Sequence, residues 1–388
     1  MGENMSMLSA LSDTETYTII GAVLGLLGFI ISYLQYRSKK NKEIEAIIIK
    51  IESAEDIHDI NPFKALDIYS EVIYTLSPDK HPPLYARIRH GEGACYYTLS
   101  SINNKEDNLR RAITAYEEAL QIRTIEKYPL DYAATQNSLG NAYSVLSQIR
   151  DKEEILHLAV RAYLEALIIR TTDKFPMEYA ATQNNLGNAY QSLSEVRGKD
   201  KEDKLTLAIR AYEEALVIRT EDEHPVEYAV TQNNLGNAYV SLSQVRTQVQ
   251  DKEKNLELAI EAYNEALKIR TIGKYPVEYA RTQNSLGLAY RNMSQVRDKE
   301  YNLDLAIEAY TEALKIRTAD EFPLEYAATQ NNLGAAYRNL SNLRDKEENL
   351  SMAVKAYEEA LSVYQQYDYP HLYELVMANL DKAVKMLQ

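Results

Sequence analysis

Five asparagines return at one place in a repeated phrase: Asn137, Asn184, Asn233, Asn284 and Asn331, each three residues before a leucine–glycine glycine. With that glycine as position 0, position +1 reads Asn141, Asn188 and Asn237, then Leu288 and Ala335. An amide side chain both donates and accepts hydrogen bonds, so a row of amides can hold an extended peptide by its backbone, whatever its side chains. The same row can instead bond a neighbouring repeat's backbone, and recurrence in every repeat suits both roles. Positions that vary between repeats are better placed to select a partner. Position +4 reads Tyr97, Ser144, Gln191, Val240, Arg291, Arg338, and position −6 reads Arg87, Ala134, Ala181, Val230, Arg281, Ala328. Arg281, Arg291 and Arg338 thus gather in the last two full repeats. Guanidinium groups pair bidentately with carboxylates, which predicts a clamp for an acidic peptide or a C-terminal carboxylate. The competing role is a solvated face with partners inside the chain.

Other chemistries find no support. The chain has one cysteine, Cys95, which excludes a disulfide framework and a cysteine-based zinc site. Cys95 stands where other repeats carry alanine, so it reads as a small core residue and not a nucleophile. The six histidines have no ligand-like spacing. A net charge of −14 argues against a nucleic-acid grip. No glycine-rich phosphate loop and no Ser/His/Asp set appears. The chain reads as a non-enzymatic binding protein without a cofactor.

The elements that position these residues are repeated helix pairs. Phrases such as YAATQNNLGNAY (179–190) and YARTQNSLGLAY (279–290) alternate with AIRAYEEALVIRT (208–220) and its copies. The phrase glycines fall at 93, 140, 187, 236, 287 and 334, giving spacings of 47, 47, 49, 51 and 47. Periods of this size indicate a solenoid. The first phrase reads as helix A, opened by proline eleven residues before the glycine. Leu −1, Ala +2, Tyr +3 and Leu or Met +6 form its core stripe. The second phrase reads as helix B, with a stripe of Leu, Ala, Tyr, Ala and Leu. All length variation falls between Arg197 and Ala208 and between Arg246 and Ala259, which predicts variable loops between A and B on one edge, away from the groove. Positions −3, +1 and +4 lie within about 60° of one another on helix A, off the core stripe. The arginine of each Ile-Arg-Thr (123, 170, 219, 270, 317) is too regular for partner choice. It is expected at a helix C-terminus near Asp131, Glu178, Glu227, Glu278 or Glu325 of the next helix.

Leu-Gly-x-x-Tyr, then Ala-x-x-x-Tyr-x-x-Ala, then Pro, resembles the tetratricopeptide repeat. Gly187, Tyr190, Ala208, Tyr212, Ala215 and Pro225 match that signature in one repeat. The unit is longer than the family's 34 residues. It also has Tyr for Phe in helix B, and Gln183 where Trp is common. The longer unit with Asn-Asn-Leu is similar to the kinesin-light-chain form. The resemblance covers about residues 62–388. It implies an all-α, right-handed superhelical solenoid of antiparallel helix pairs that binds protein or peptide on its inner surface, lined by positions −6, −3, +1 and +4. Residues 37–61 are expected as a linker helix and N-terminal cap, 62–369 as the solenoid, and 370–388 as a capping helix in which Asp381 replaces glycine.

Residues 17–36, YTIIGAVLGLLGFIISYLQY, carry no charge. Twenty helical residues span about 30 Å, which predicts a single transmembrane helix preceded by a short extracytoplasmic N-terminus, 1–16. No basic residue precedes the run, and Arg37, Lys39, Lys40 and Lys42 follow it. The positive-inside rule then puts the repeats in the cytoplasm. Gly21 and Gly25 would let two anchors pack as a homodimer. The sequence thus predicts a membrane-anchored interaction scaffold. An envelope quality-control component that tethers a protease, chaperone or assembly machine, or an organelle import receptor, would share this layout.

Overall fold

Proline sets the start of more than half of the helices. The computed structural model describes the backbone of residues 13–388 except 197 and 199, and side chains from residue 27 on. Its elements are fifteen α-helices, with no strand among the described residues. Eight of them open on proline: α2 (Pro62–Ile73), α3 (Pro82–Leu99), α5 (Pro129–Leu146), α7 (Pro176–Ser194), α9 (Pro225–Val245), α11 (Pro276–Met293), α13 (Pro323–Leu340) and α15 (Pro370–Leu387). The residue before each proline lies outside the helical region, with φ −136° and ψ 58° at His224 and φ −138° and ψ 65° at Tyr275. The ring clashes with a helical predecessor but fits a first helical position, whose N–H has no partner to lose.

The B helices are α4 (Lys105–Leu120), α6 (Lys152–Leu167), α8 (Lys201–Leu216), α10 (Val249–Ile269), α12 (Lys299–Leu314) and α14 (Lys346–Gln366). Asn104, Asp151, Asp298 and Asp345 stand before four of them with φ of 40° to 44°. Asn and Asp tolerate this left-handed turn because their short polar side chains bond locally. One expectation needs correcting here. The extra residues after Arg246 do not form a loop: α10 begins at Val249 and runs 21 residues, against 16 in α8 and α12. The segment 249–254, VQDKEK, is mostly polar and helix-favouring, so an added turn of helix costs less than an open loop.

The chain divides into two compact units between Thr124 and Ile125. In the first, α1 (Asp13–Glu55) ends against α2 and α3 around Ile51, Ala54, Ala65, Tyr69, Ile88 and Cys95. Cys95 is fully buried, and burial pushes its thiol up to about 12, in keeping with a core role. Arg87 donates from Nε to Glu55 at 2.7 Å, tying α3 to α1. Helix α1 includes the whole of residues 17–36. Phe29, Ile31, Leu34 and Tyr36 are exposed along it. Among the described residues no helix is long and apolar enough to cross a membrane. The side chains of 17–26, Gly21 and Gly25 included, lie outside the described residues, as do residues 1–12.

In the second unit, α5 to α15 alternate A and B. Leu139, Ala142 and Leu146 of α5 are buried, as are Leu156, Ala159, Tyr163 and Ala166 of α6. The tyrosine that precedes each A-helix glycine by eight residues bonds its own B helix; Tyr179 donates to Glu214 Oε2 at 2.8 Å and Tyr279 to Glu312 at 2.9 Å. Each A helix touches the next A helix, α5 to α7 through α13 to α15. No two B helices meet in this way among the described residues. The A helices therefore line the closer-spaced, inner side. Helix α15 closes the series on α14 through Val376 and Ala383, with Asp381 exposed where other A helices bury glycine.

Candidate protein-binding groove

The asparagine row lies along these A helices and joins one repeat to the next. Asn185 Nδ2 donates to Oδ1 of Asn141 at 3.0 Å, and Asn234 Nδ2 to Oδ1 of Asn188 at 3.2 Å and of Asn184 at 3.3 Å. Asn332 reaches Asn284 at 3.4 Å, and Asn379 reaches Asn331 at 3.1 Å. The donors stand at position −2, which sequence reasoning passed over. The acceptors are the predicted site residues. Thr182 Oγ1 lies 3.1 Å from Asn137 Oδ1, and Thr282 Oγ1 lies 3.0 Å from Asn233 Oδ1. Asn237 accepts from Tyr263 at 2.7 Å. Asn184 and Asn233 are buried and the others half-buried. Among the described residues these amide oxygens accept from neighbouring side chains.

Threonine at −5 is the second residue missed. Thr135, Thr182, Thr231, Thr282 and Thr329 are fully buried. Four of them accept from the Ile-Arg-Thr arginines of the preceding helix: Arg170 to Thr182 at 2.8 Å, Arg219 to Thr231 at 2.9 Å, Arg270 to Thr282 at 3.0 Å and Arg317 to Thr329 at 2.9 Å. The expected acidic residues are near enough to act on the charge, but no ion pair forms to these four arginines among the described residues. Burial lowers the Arg219 guanidinium's pKa, with Glu227 opposing. The recurrence of Thr at −5 in all five phrases was the signal available in the sequence, without its partner.

Arg281 and Arg291 lie on α11 and Arg338 on α13, Arg281 exposed and the other two half-buried. None has an ion pair among the described residues; Arg338 Nη1 lies 3.4 Å from Asn379 Oδ1. Other arginines differ. Arg297 bonds Glu257 at 2.8 Å, and Arg344 bonds Glu300 at 2.7 Å and Asp304 at 2.6 Å. Burial and then the charge of Arg281 push Arg270 down to about 10. Burial also lowers Arg317, opposed by Glu325 and aided by Arg281. Positive charge is therefore concentrated here, opposed by Glu278 and Glu325 but with no ion pair to Arg281, Arg291 or Arg338 among the described residues. Burial pushes the Tyr310 phenol up to about 12, with Arg291 pulling the other way.

The tetratricopeptide repeat family model matches residues 94–124. No curated protein matches the chain. Among solved structures the fold is similar to the apo form of the quorum sensor NprR from B. thuringiensis, at 15% identity and TM-score 0.50, over 88% of this chain and 87% of that one. Other matches are the C-terminal part of a TPR repeat-containing protein from Cytophaga hutchinsonii (16% identity, TM-score 0.48, 87% of this chain and 99% of that one) and MamA (21%, 0.37, 59% and 93%). The chain is thus an all-helical, tetratricopeptide-like repeat solenoid.

Proposed function

We propose that the chain is a non-enzymatic interaction scaffold, anchored to a membrane by residues 17–36, whose inner A-helix face takes an extended acidic peptide. One observation carries this reading: three arginines on that face have no ion pair among the described residues, in a chain of net charge −14. An arginine cluster without ion pairs on an acidic protein favours a carboxylate-bearing partner. The amides of Asn137, Asn141, Asn184, Asn188, Asn233, Asn284 and Asn331 give their oxygens to the next repeat and that of Asn237 to Tyr263 of its own, and their N–H groups supply donors for a peptide's carbonyls. The period of 47 residues and Asn-Asn-Leu support a long-repeat, kinesin-light-chain-like form.

The anchor is supported by the uncharged run, its exposed described half, and the basic residues on one side only. Gly21 and Gly25 favour association of two anchors. The scaffold is tested by capture of partners on the parent and on R281A/R291A/R338A. The variant is expected to lose acidic partners while keeping its melting temperature. Equal capture by both sinks the arginine face. A periplasmic-type reporter active after Gln388 would overturn the cytoplasmic placement.

A further inference from the structure

In three repeats the B-helix phenol bonds position +1 of its own A helix, and in one of them it also reaches position +4. Tyr212 donates to Oδ1 of Asn188 at 2.7 Å and lies 3.0 Å from Oε1 of Gln191. Tyr163 donates to Asn141 at 2.8 Å, and Tyr263 to Asn237 at 2.7 Å. In the last two full repeats both acceptors are replaced. Position +1 is Leu288 or Ala335, and position +4 is Arg291 or Arg338. Leucine and alanine offer no polar atom, and a guanidinium donates only. Tyr310 and Tyr357 are fully buried at 0% exposure, and their hydroxyls have no hydrogen-bond partner among the described residues. A buried donor without an acceptor is unfavourable, so its persistence needs a reason. In these two repeats the exchanges come together: the asparagine at +1 is lost and an arginine stands one turn on, at +4.

We propose that Tyr310 with Arg291, and Tyr357 with Arg338, form two oxyanion sites, one per repeat, that take carboxylate side chains of the bound peptide. This deepens the scaffold reading and rests on it. A carboxylate oxygen accepts both from the phenol and from the guanidinium, and so supplies what Asn188 and Gln191 supply to Tyr212. A peptide carboxylate suits the place because Asn284 and Asn331 lie on the same helix faces, three residues before the glycine. A carboxylate reaches the enclosed phenols by displacing the two guanidinium heads, which no ion pair holds among the described residues; Arg338 has only the 3.4 Å contact to Asn379 to give up.

The test is titration of the full chain with a tetraglutamate peptide and, separately, with inorganic phosphate. The variants are Y310F/Y357F, L288N/A335N, and Y163F/Y212F as control. Tetraglutamate should bind Y310F/Y357F and L288N/A335N about tenfold or more weakly than the parent, and the control as well as the parent. Y310F/Y357F should melt no lower than the parent, which separates lost binding from lost folding. Unchanged affinity in Y310F/Y357F overturns the sites. If R281A/R291A/R338A then still loses its captured partners, the arginine face stands without the phenols. Phosphate binding as tight as tetraglutamate, with the same losses, overturns the commitment to a peptide. Failure of the parent to bind tetraglutamate overturns the sites and leaves the scaffold to its own capture experiment.

Discussion

A Cβ built on Gly187 would lie 2.6 Å from Cε1 of Tyr212, closer than real Cβ atoms come to another heavy atom. The same relation holds between Gly140 and Tyr163, at 2.6 Å, and between Gly287 and Tyr310, at 2.7 Å. Mid-helix glycine gives up about 1 kcal/mol of helix propensity relative to alanine. The flat face of the tyrosine ring against the bare backbone outweighs that loss. Gly187→Ala should therefore destabilise the protein despite the propensity gain, by about 1–2 kcal/mol net of overpacking. Urea unfolding checks this; a stabilised variant would mean that the ring moves aside freely.

The B-helix tyrosines divide into two classes by partner. Tyr212→Phe removes a bond to Asn188 and leaves a half-buried amide oxygen with one bond fewer, so it should lose roughly 1 kcal/mol. Tyr310→Phe removes a hydroxyl that has no partner, so it should be neutral or stabilising. Melting the two variants side by side decides this. Equal losses would show that the two phenols have the same surroundings.

Arg219 and Thr231 form a buried bond of 2.9 Å between a B helix and the next A helix. Thr231→Val keeps the shape and leaves the guanidinium without that acceptor. The expected cost is about 1–3 kcal/mol, because a buried donor left unmade carries its desolvation penalty. Thr→Val at an exposed helical site, such as Thr206, should change stability far less. A negligible change at Thr231 would place these arginines outside the framework.

His90 gives the first unit an acid sensitivity. Burial first, then the charges of Arg123 and His58, push its pKa down from 6.5 to about 3. The unfolded chain takes up a proton near 6.5 that the folded chain refuses. Stability is therefore lost as pH falls from about 6.5 towards 3, at up to about 1.4 kcal/mol per pH unit from this group. Urea unfolding at pH 7 and pH 5 should show a smaller drop in His90→Gln than in the parent. The same drop in both would refute the assignment.

The spacing of proline, glycine and tyrosine was enough to place the helix pairs, because each is dictated locally. Proline can only open a helix, and a glycine eleven residues later is fixed by the tyrosine that must cross it. Helical phase also groups positions −3, +1 and +4 on one side of each A helix, which is as far as the sequence goes toward the three arginines. The second insertion could not be read, since QDKEK suits a loop or an added helical turn, and packing of α9 against α10 decides between them.

What tertiary structure alone decided is who answers whom across repeats. Asn188 looks the same in sequence whether its oxygen meets a peptide or Asn234; only the stacking of α7 on α9 shows that it meets Asn234 and Tyr212. Thr231 reads as an unremarked helix residue until Arg219 is brought to it from the preceding helix. The phenols of Tyr310 and Tyr357 are indistinguishable in sequence from those of Tyr212 and Tyr263. Their lack of an acceptor is a property of Leu288, Ala335, Arg291 and Arg338 at the far side of the helix pair. Hydrogen-bond satisfaction is a three-dimensional sum over neighbours, and periodicity fixes which face a residue occupies but not what faces it.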